Sequence, residues 1–523
     1  MPRASKGRRK ESLRLGNAQN RSYIRAMPRF HAPRFALLVT FAAHGCSDDS
    51  AASADPSATT GTDSDSESSA SSNANDESTS TSADPSTGGE NSTTGESTGS
   101  ESDTSTDTDG DTDGDTDTDG EQPFAPELYT DDRTHSRITP YVAANLQAIA
   151  NSAPQRDDVF AKIGASSTVA TNFMHCFATD STIDLDGRDD LWGPIETFRA
   201  ELQGANSFTR TSLCATSGWT ATTAITPVDG NPSPLQQEIE AATPRFAVVL
   251  YGTNAVYTGN VHKFGRSMLT LVETMTSQGV IPILTSSQPN DKDPDKDAQV
   301  PLFNAVTRSV AQAHQIPFID FHRELLKLPD HGLKEDGIHR KPYNQGACKL
   351  TPEGLQYGAN IRNLLSLEAL YRTQTTLAGD DENTVIEPAT HTLAGQGSPE
   401  DPFIVPALPF GDLRDTTMQG LKKIDGYPGC DSDQDESGPE LYYRFEIDEP
   451  TSVHALVIDR GDVDIDLHLV DESLSGEGCI ARADGELLLD LDPGVYYFVL
   501  DTYVSNGVEA TGEYLFVLEH APF

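Results

Sequence analysis

The 523-residue chain has no apolar run near the roughly eighteen residues that a membrane-spanning helix needs, which excludes a transmembrane helix. It holds only 37 Lys and Arg against 81 Asp and Glu, a formal net charge of −44, and so lacks the basic face of a nucleic-acid binder. Its apolar share is 36%, too low for a chain folded throughout. Part of the chain is therefore expected to have no core, and the rest is long enough for two or three folded units. The histidines show no metal-ligand spacing, so no metal and no cofactor is expected.

The shortage of basic residues is uneven. Residues 47–122 hold 21 Asp and Glu and no Lys or Arg, and are otherwise mostly Ser, Thr, Gly and Ala. Such a segment buries too little apolar surface to offset chain entropy and reads as an extended, disordered linker. Its Asp111–Asp119 alternation lacks the closing Glu and flanking helices of a calcium loop. Residues 1–46 are the reverse, with ten Lys and Arg against one Glu. They lead into the short apolar run Phe35–Ala43 and then His44-Gly45-Cys46, the pattern of an export signal. Met27 opens a second complete basic region and is an alternative start. The Cys46 surroundings resemble the lipobox of bacterial lipoproteins, with His44 where a small residue is usual. The resemblance implies lipidation of Cys46, an envelope or outer-surface location, and membrane contact only through that anchor.

From residue 123 to 372 short apolar runs alternate with helical patterns. The runs Val159–Gly164, Ser207–Ala215, Phe246–Tyr251, Val280–Leu284 and Ile316–Phe321 predict five strands. Pro234–Thr243, Phe264–Ser277, Val300–His314 and Pro352–Arg372 predict helices between and after them, with Thr351 capping the last. Strands alternating with helices give an α/β fold, a three-layer parallel sheet of flavodoxin-like type, with ligands at the carboxyl ends of the strands.

Those ends carry Gly164-Ala165-Ser166, Ser217-Gly218-Trp219 and Gly252-Thr253-Asn254, and a later loop carries Asp336-Gly337-Ile338-His339. In this order the blocks resemble the SGNH (GDSL-like) hydrolase family across residues 130–372. The resemblance implies an ester hydrolase with Ser166 as nucleophile, His339 as base and Asp336 orienting it, and an oxyanion hole from the Ser166 and Gly218 N–H groups and the Asn254 amide. The chemistry agrees: a serine hydroxyl needs a base, the base needs fixing, and a developing oxyanion needs donors held in place. Ala165 and Ala255 stand where the family has Asp. These departures leave a second reading open, a non-catalytic surface binding protein on a degenerate hydrolase fold.

In an exported protein cysteines can pair. Cys430 and Cys479 share the C-terminal region and are expected to bridge, as are Cys176 and Cys348, on loops after the site blocks; Cys214, in an expected buried strand, is left as a free thiol. Residues 373–396 read as a linker. Residues 397–523 show short alternating strands with Asp and Gly turns, an all-β sandwich. Asp464-Ile-Asp466-Leu and Leu491–Phe498 resemble bacterial pre-peptidase C-terminal domains, which implies a small jelly-roll-like accessory. The acidic stretch Asp462–Asp466 reads as solvated turn residues rather than a calcium site. The whole reads as a monomeric esterase acting on a small-molecule or glycan ester.

Overall fold

The computed structural model describes residues 125–379 and 385–522. The export signal, Cys46 and the acidic linker lie outside the described residues. No helix among the described residues is long and apolar enough to cross a membrane.

The first part of the described chain is built on a parallel sheet of β1 (Arg156–Gly164), β2 (Pro244–Leu250), β3 (Ile281–Thr285) and β4 (Phe318–Ile319), in that spatial order. The helices are α1 (Pro140–Ser152), α2 (Ser166–Val169), α3 (Trp192–Thr197), α4 (Ala221–Ile225), α5 (Pro234–Ala242) and α6 (Thr253–Thr258). They continue with α7 (Val261–Thr276), α8 (Pro294–Asp297), α9 (Val300–Ala313), α10 (Phe321–Leu325) and α11 (Gly358–Ala378). Every residue of β2 is buried, which requires cover on both faces of the sheet.

The expected strand Ser207–Ala215 does not form. Asn206 accepts from the N–H groups of Phe208 and Thr209 and closes a turn there. The buried Glu238 carboxylate takes Arg210 at 2.5 Å and the Leu213 N–H at 2.8 Å. With its backbone held by side chains, the segment joins the sheet only where Ala215 bridges Gly164 in parallel. That bridge lies on the side of β1 away from β2, so the chain order reverses at β1. This is the switch point where open α/β sheets collect ligands.

Two other expectations shift. The fifth strand shrinks to Phe318–Ile319. The last helix starts at Gly358 rather than Pro352, because Thr351 caps only a short turn, accepting from the Gly354 N–H, before extended Tyr357. Gly354 and Gly358 sit so close to the Lys349 and Gly332 carbonyls that a Cβ would collide with them. The helix then runs to Ala378, into residues expected as linker.

The C-terminal part is β5 (Phe403–Ile404), β6 (Phe410–Asp415), β7 (Leu441–Ile447), β8 (Thr451–Asp459), β9 (Ile465–Val470) and β10 (Cys479–Ala483). β11 (Glu486–Leu491), β12 (Gly494–Thr502), the short ribbon β13 (Val504–Ser505) and β14 (Val508–Glu509), and β15 (Glu513–His520) follow. One sheet runs β10-β9-β12-β7-β5 and a second β11-β8-β15-β6. Apolar residues of both, among them Tyr443, Leu467, Phe498, Val457 and Phe516, form one core. The second sheet is covered on its other side too. Leu456, Ile458, Leu515 and Val517 belong to the core of the α/β part, and Gly265 of α7 lies against Ile458. Arg460–Glu273 at 2.6 Å and Arg266–Asp459 at 2.7 Å flank this contact. The β region is thus seated on α7 and α9.

Beneath the segment that leads to β7 lies a buried polar group. Asp466, expected as a solvated turn residue, is instead buried with Glu436, Glu440, Asp501 and His468. Tyr427 stacks flat on His468 at 3.5 Å and donates to Asp501 at 2.6 Å. Burial raises the pKa of all four carboxyls, and that of Glu440 reaches about 7. A carboxyl protonated in the fold but ionised in the unfolded chain stabilises below its unfolded pKa, and that stability is lost as pH rises through the folded value. Glu440→Gln keeps an acceptor for Tyr442 and the Lys423 N–H without an ionisation. Its melting temperature relative to wild type should therefore climb by several degrees between pH 4.5 and 8. A difference that does not change with pH would contradict this account of Glu440.

Candidate functional site

The site lies at the carboxyl end of the parallel sheet. β1 ends at Gly164, and Ser166 is the first residue of α2, so its N–H is a first-turn donor without a helical partner. Gly164 tolerates no side chain, since a Cβ would strike the Thr168 hydroxyl and the Leu250 carbonyl. The Ala215–Gly164 bridge brings the 215–219 turn alongside. There Gly218 holds φ at 84°, a left-handed conformation that glycine adopts freely, and the place a Cβ would take is open.

Asn254 sits in the first turn of α6 and donates to the Trp219 carbonyl at 2.9 Å. This ties it to the Gly218 turn and leaves its second amide hydrogen available. The preceding Gly252 has φ at 127°, and a Cβ there would collide with the Ser287 hydroxyl. The glycine of the Gly252-Thr-Asn block is thus required by the end of β3 packed behind it.

Asp336 and His339 are carried on a tight hairpin-like loop. Leu333 pairs with Arg340, and the Lys334 N–H donates to the His339 carbonyl at 2.7 Å. Asp336 Oδ1 accepts from the N–H groups of Ile338 at 3.0 Å and His339 at 2.8 Å, and Oδ2 meets His339 Nδ1 at 2.8 Å. Partial burial alone would raise the Asp336 pKa, but these donors and the imidazole outweigh it and hold the carboxyl near 2. His339 Nε2 then reaches Ser166 Oγ at 3.1 Å. The result is a hydrogen-bonded chain Ser166–His339–Asp336. Both members of the histidine–aspartate pair are open, with side chains 42% and 48% exposed.

The neighbouring elements are stapled. Cys176 and Cys348 form a disulfide, and Cys348 lies in the loop that follows His339. That loop is anchored: the Cys348 carbonyl accepts from the Asp184 N–H, the Asp184 carbonyl accepts from the Leu350 N–H, and Cys348 and Leu350 are fully buried. Cys430 and Cys479 form the second bridge, and Cys214 is a buried free thiol whose pKa burial pushes up to about 12. Among the described residues no group of His, Cys, Asp or Glu is placed to hold a metal ion.

Sequence reasoning missed what stands behind the site. Arg362 of α11 is 1% exposed and pairs with no carboxylate among the described residues. It donates to the Ser167 carbonyl at 2.7 Å and Thr168 Oγ1 at 3.1 Å, and stacks on Phe173 at 3.6 Å. It fixes the turn that presents Ser166. An arginine on an otherwise buried helix face was the available signal. The second unforeseen element is the polar run Ser286-Ser287-Gln288 after β3, buried throughout. Polar residues at the carboxyl end of a parallel strand were the signal there. Arg362→Met strips two buried oxygens of their donor, which costs on the order of 1–3 kcal/mol for each group left unsatisfied. Chemical denaturation should show a loss of that size, with Arg362→Lys in between; a wild-type midpoint for Arg362→Met would contradict the role.

Residues 180–342 match the model of the GDSL-like Lipase/Acylhydrolase family. No curated protein matches the chain. Among solved structures, a GDSL-like lipase from Bacteroides thetaiotaomicron is 16% identical and covers 44% of this chain and 98% of its own, with a TM-score of 0.27. An acetylxylan esterase from Geobacillus stearothermophilus is 13% identical over 42% of this chain and 94% of its own, with a TM-score of 0.26. An alpha/beta hydrolase from the metagenome of Lake Arreo, Spain, is 15% identical over 42% and 97%, with a TM-score of 0.28. The α/β part is therefore similar to the GDSL-like lipases and acylhydrolases over residues 180–342, a span that contains Gly218, Asn254, Asp336 and His339 and begins fourteen residues after Ser166.

Proposed function

We propose that the chain is a serine-dependent ester hydrolase. The observation that carries this reading is the Ser166 Oγ–His339 Nε2 contact of 3.1 Å in line with the 2.8 Å His339 Nδ1–Asp336 pair. Ser166 Oγ attacks the ester carbonyl carbon while His339 Nε2 takes its proton. The carbonyl oxygen becomes an oxyanion facing the Ser166 and Gly218 N–H groups and the Asn254 amide. Asp336 holds the Nδ1–H and stabilises the imidazolium. Collapse breaks the bond to the alcohol oxygen, which leaves with the proton from His339, and water then resolves the acyl-serine by the reverse sequence of transfers.

The openness of the pair suits an ester on a bulky alcohol, such as an acetyl or other short acyl group on a glycan. A long acyl chain would need an enclosed apolar tunnel. Around this activity we place lipidation at Cys46 with display at the cell envelope, an extended acidic tether, and a jelly-roll-like pre-peptidase accessory in a monomeric protein. The alternative, a non-catalytic surface binding protein, draws on Ala165 and Ala255.

An assay with p-nitrophenyl acetate separates the two. Ser166→Ala should abolish turnover while unfolding as wild type does, and Asn254→Ala should lower kcat by roughly 10²–10³. Turnover that survives Ser166→Ala would remove the nucleophile assignment, and a loss below about threefold would make Asn254 structural.

A further inference from the structure

Three loops must keep register for the proposed reaction: the Ser166 turn, the Asn254 turn and the Asp336–His339 hairpin. One side chain touches two of them. Gln288, 2% exposed just beyond β3, donates from Nε2 to Thr253 Oγ1 at 3.1 Å and to the Ile338 carbonyl at 3.1 Å. Thr253 precedes Asn254, and Ile338 precedes His339. Gln288 Oε1 accepts from Arg340 Nη1 at 2.8 Å. A guanidinium only donates, so Arg340 dictates which end of the amide is oxygen and turns the amine toward both loops. Arg340 is itself buried, lies over the Phe321 ring at 5.8 Å, and meets no carboxylate among the described residues. A buried arginine paired with a neutral amide is a costly choice for stability alone, since a carboxylate would neutralise it. A carboxylate would, however, offer no donor to the Ile338 carbonyl.

We propose that Gln288, oriented by Arg340, is a positioning residue that couples the oxyanion loop at Asn254 to the base loop at His339. The end of β3 holds it in place: Asn304 of α9 accepts from the Ser287 N–H at 2.7 Å and donates to the Ser287 carbonyl at 3.2 Å. The Ser287 hydroxyl donates to the Tyr251 carbonyl at 3.1 Å. The brace thus starts from the fully buried segment that follows β3. This role rests on the esterase reading for its consequence in turnover, and on geometry alone for its effect on His339.

The decisive variant is Gln288→Glu, because stability and positioning part company in it. The side chain keeps its shape and gives Arg340 a carboxylate, so melting should occur at or above the wild-type temperature. It sets an acceptor against the Ile338 carbonyl, so kcat on p-nitrophenyl acetate should fall at least tenfold with KM within about twofold. Gln288→Met, which keeps the bulk but neither bond, serves as the second variant and should also lower kcat at least tenfold. A substrate-free readout accompanies both: the downfield imidazole N–H proton of the His339–Asp336 pair in the full chain. It should be sharp in wild type and broadened or shifted in each variant. Wild-type kcat in both variants overturns the brace, as does an unchanged imidazole proton in both. A wild type that turns over no ester sinks the esterase reading instead, and the proton resonance still decides the brace.

Discussion

Everything in the α/β part is arranged around one contact, Ser166 Oγ to His339 Nε2 at 3.1 Å between side chains 173 residues apart in sequence. Neither side chain reaches the other through its own loop alone. The Ser166 turn is held from behind by Arg362 on α11, and the His339 hairpin by the Leu333–Arg340 pairing and by Asp336. The Cys176–Cys348 disulfide links the segment after the first loop to the segment after the second, across 172 residues of chain. Closing so long a loop removes much of the freedom of the unfolded chain, so the staple acts on folding as well as on register. The His339 and Asp336 side chains are 42% and 48% exposed, Ser166 is half-buried, and Arg362 behind it is buried.

Much of this is legible in the sequence through the order of the blocks, since each alone is a common turn or helix cap. Gly164 and Gly252 stand at the ends of β1 and β2, where another chain segment approaches, and Gly218 holds a left-handed turn after the Ala215 bridge rather than the end of a strand. Asp336 and His339 at a three-residue spacing in a turn can pair within one loop, and they do at 2.8 Å. The apolar runs of β1, β2 and β3 stand out because buried parallel strands have no solvent face to alternate with. The run Ser207–Ala215 misleads for the opposite reason. Its backbone is held by Asn206 and Glu238, one adjacent and one on α5, and such side-chain capture leaves no periodic trace.

Long-range supports are the least legible part. That Arg362 lies under Ser167, or that Gln288 spans Thr253 and Ile338, depends on which strand lies beside which, and no local pattern encodes that. The β region teaches the same lesson. Its strands β8 and β15 read as half-buried, yet they are buried on both faces because α7 and α9 cover the outer one. A module expected behind a polar linker is therefore packed against the helices that support β3. Its buried carboxyls, Asp466 among them, would in isolation be read as solvated turn residues.

The central claim, that Ser166 is a nucleophile made reactive by His339, is tested most directly by treating the intact protein with a fluorophosphonate and mapping the modified peptide. The account predicts a single phosphonylated residue, Ser166, with labelling lost in His339→Ala while that variant remains folded. Labelling at another serine, or hydrolysis of an ester by protein whose Ser166 stays unmodified, would contradict it.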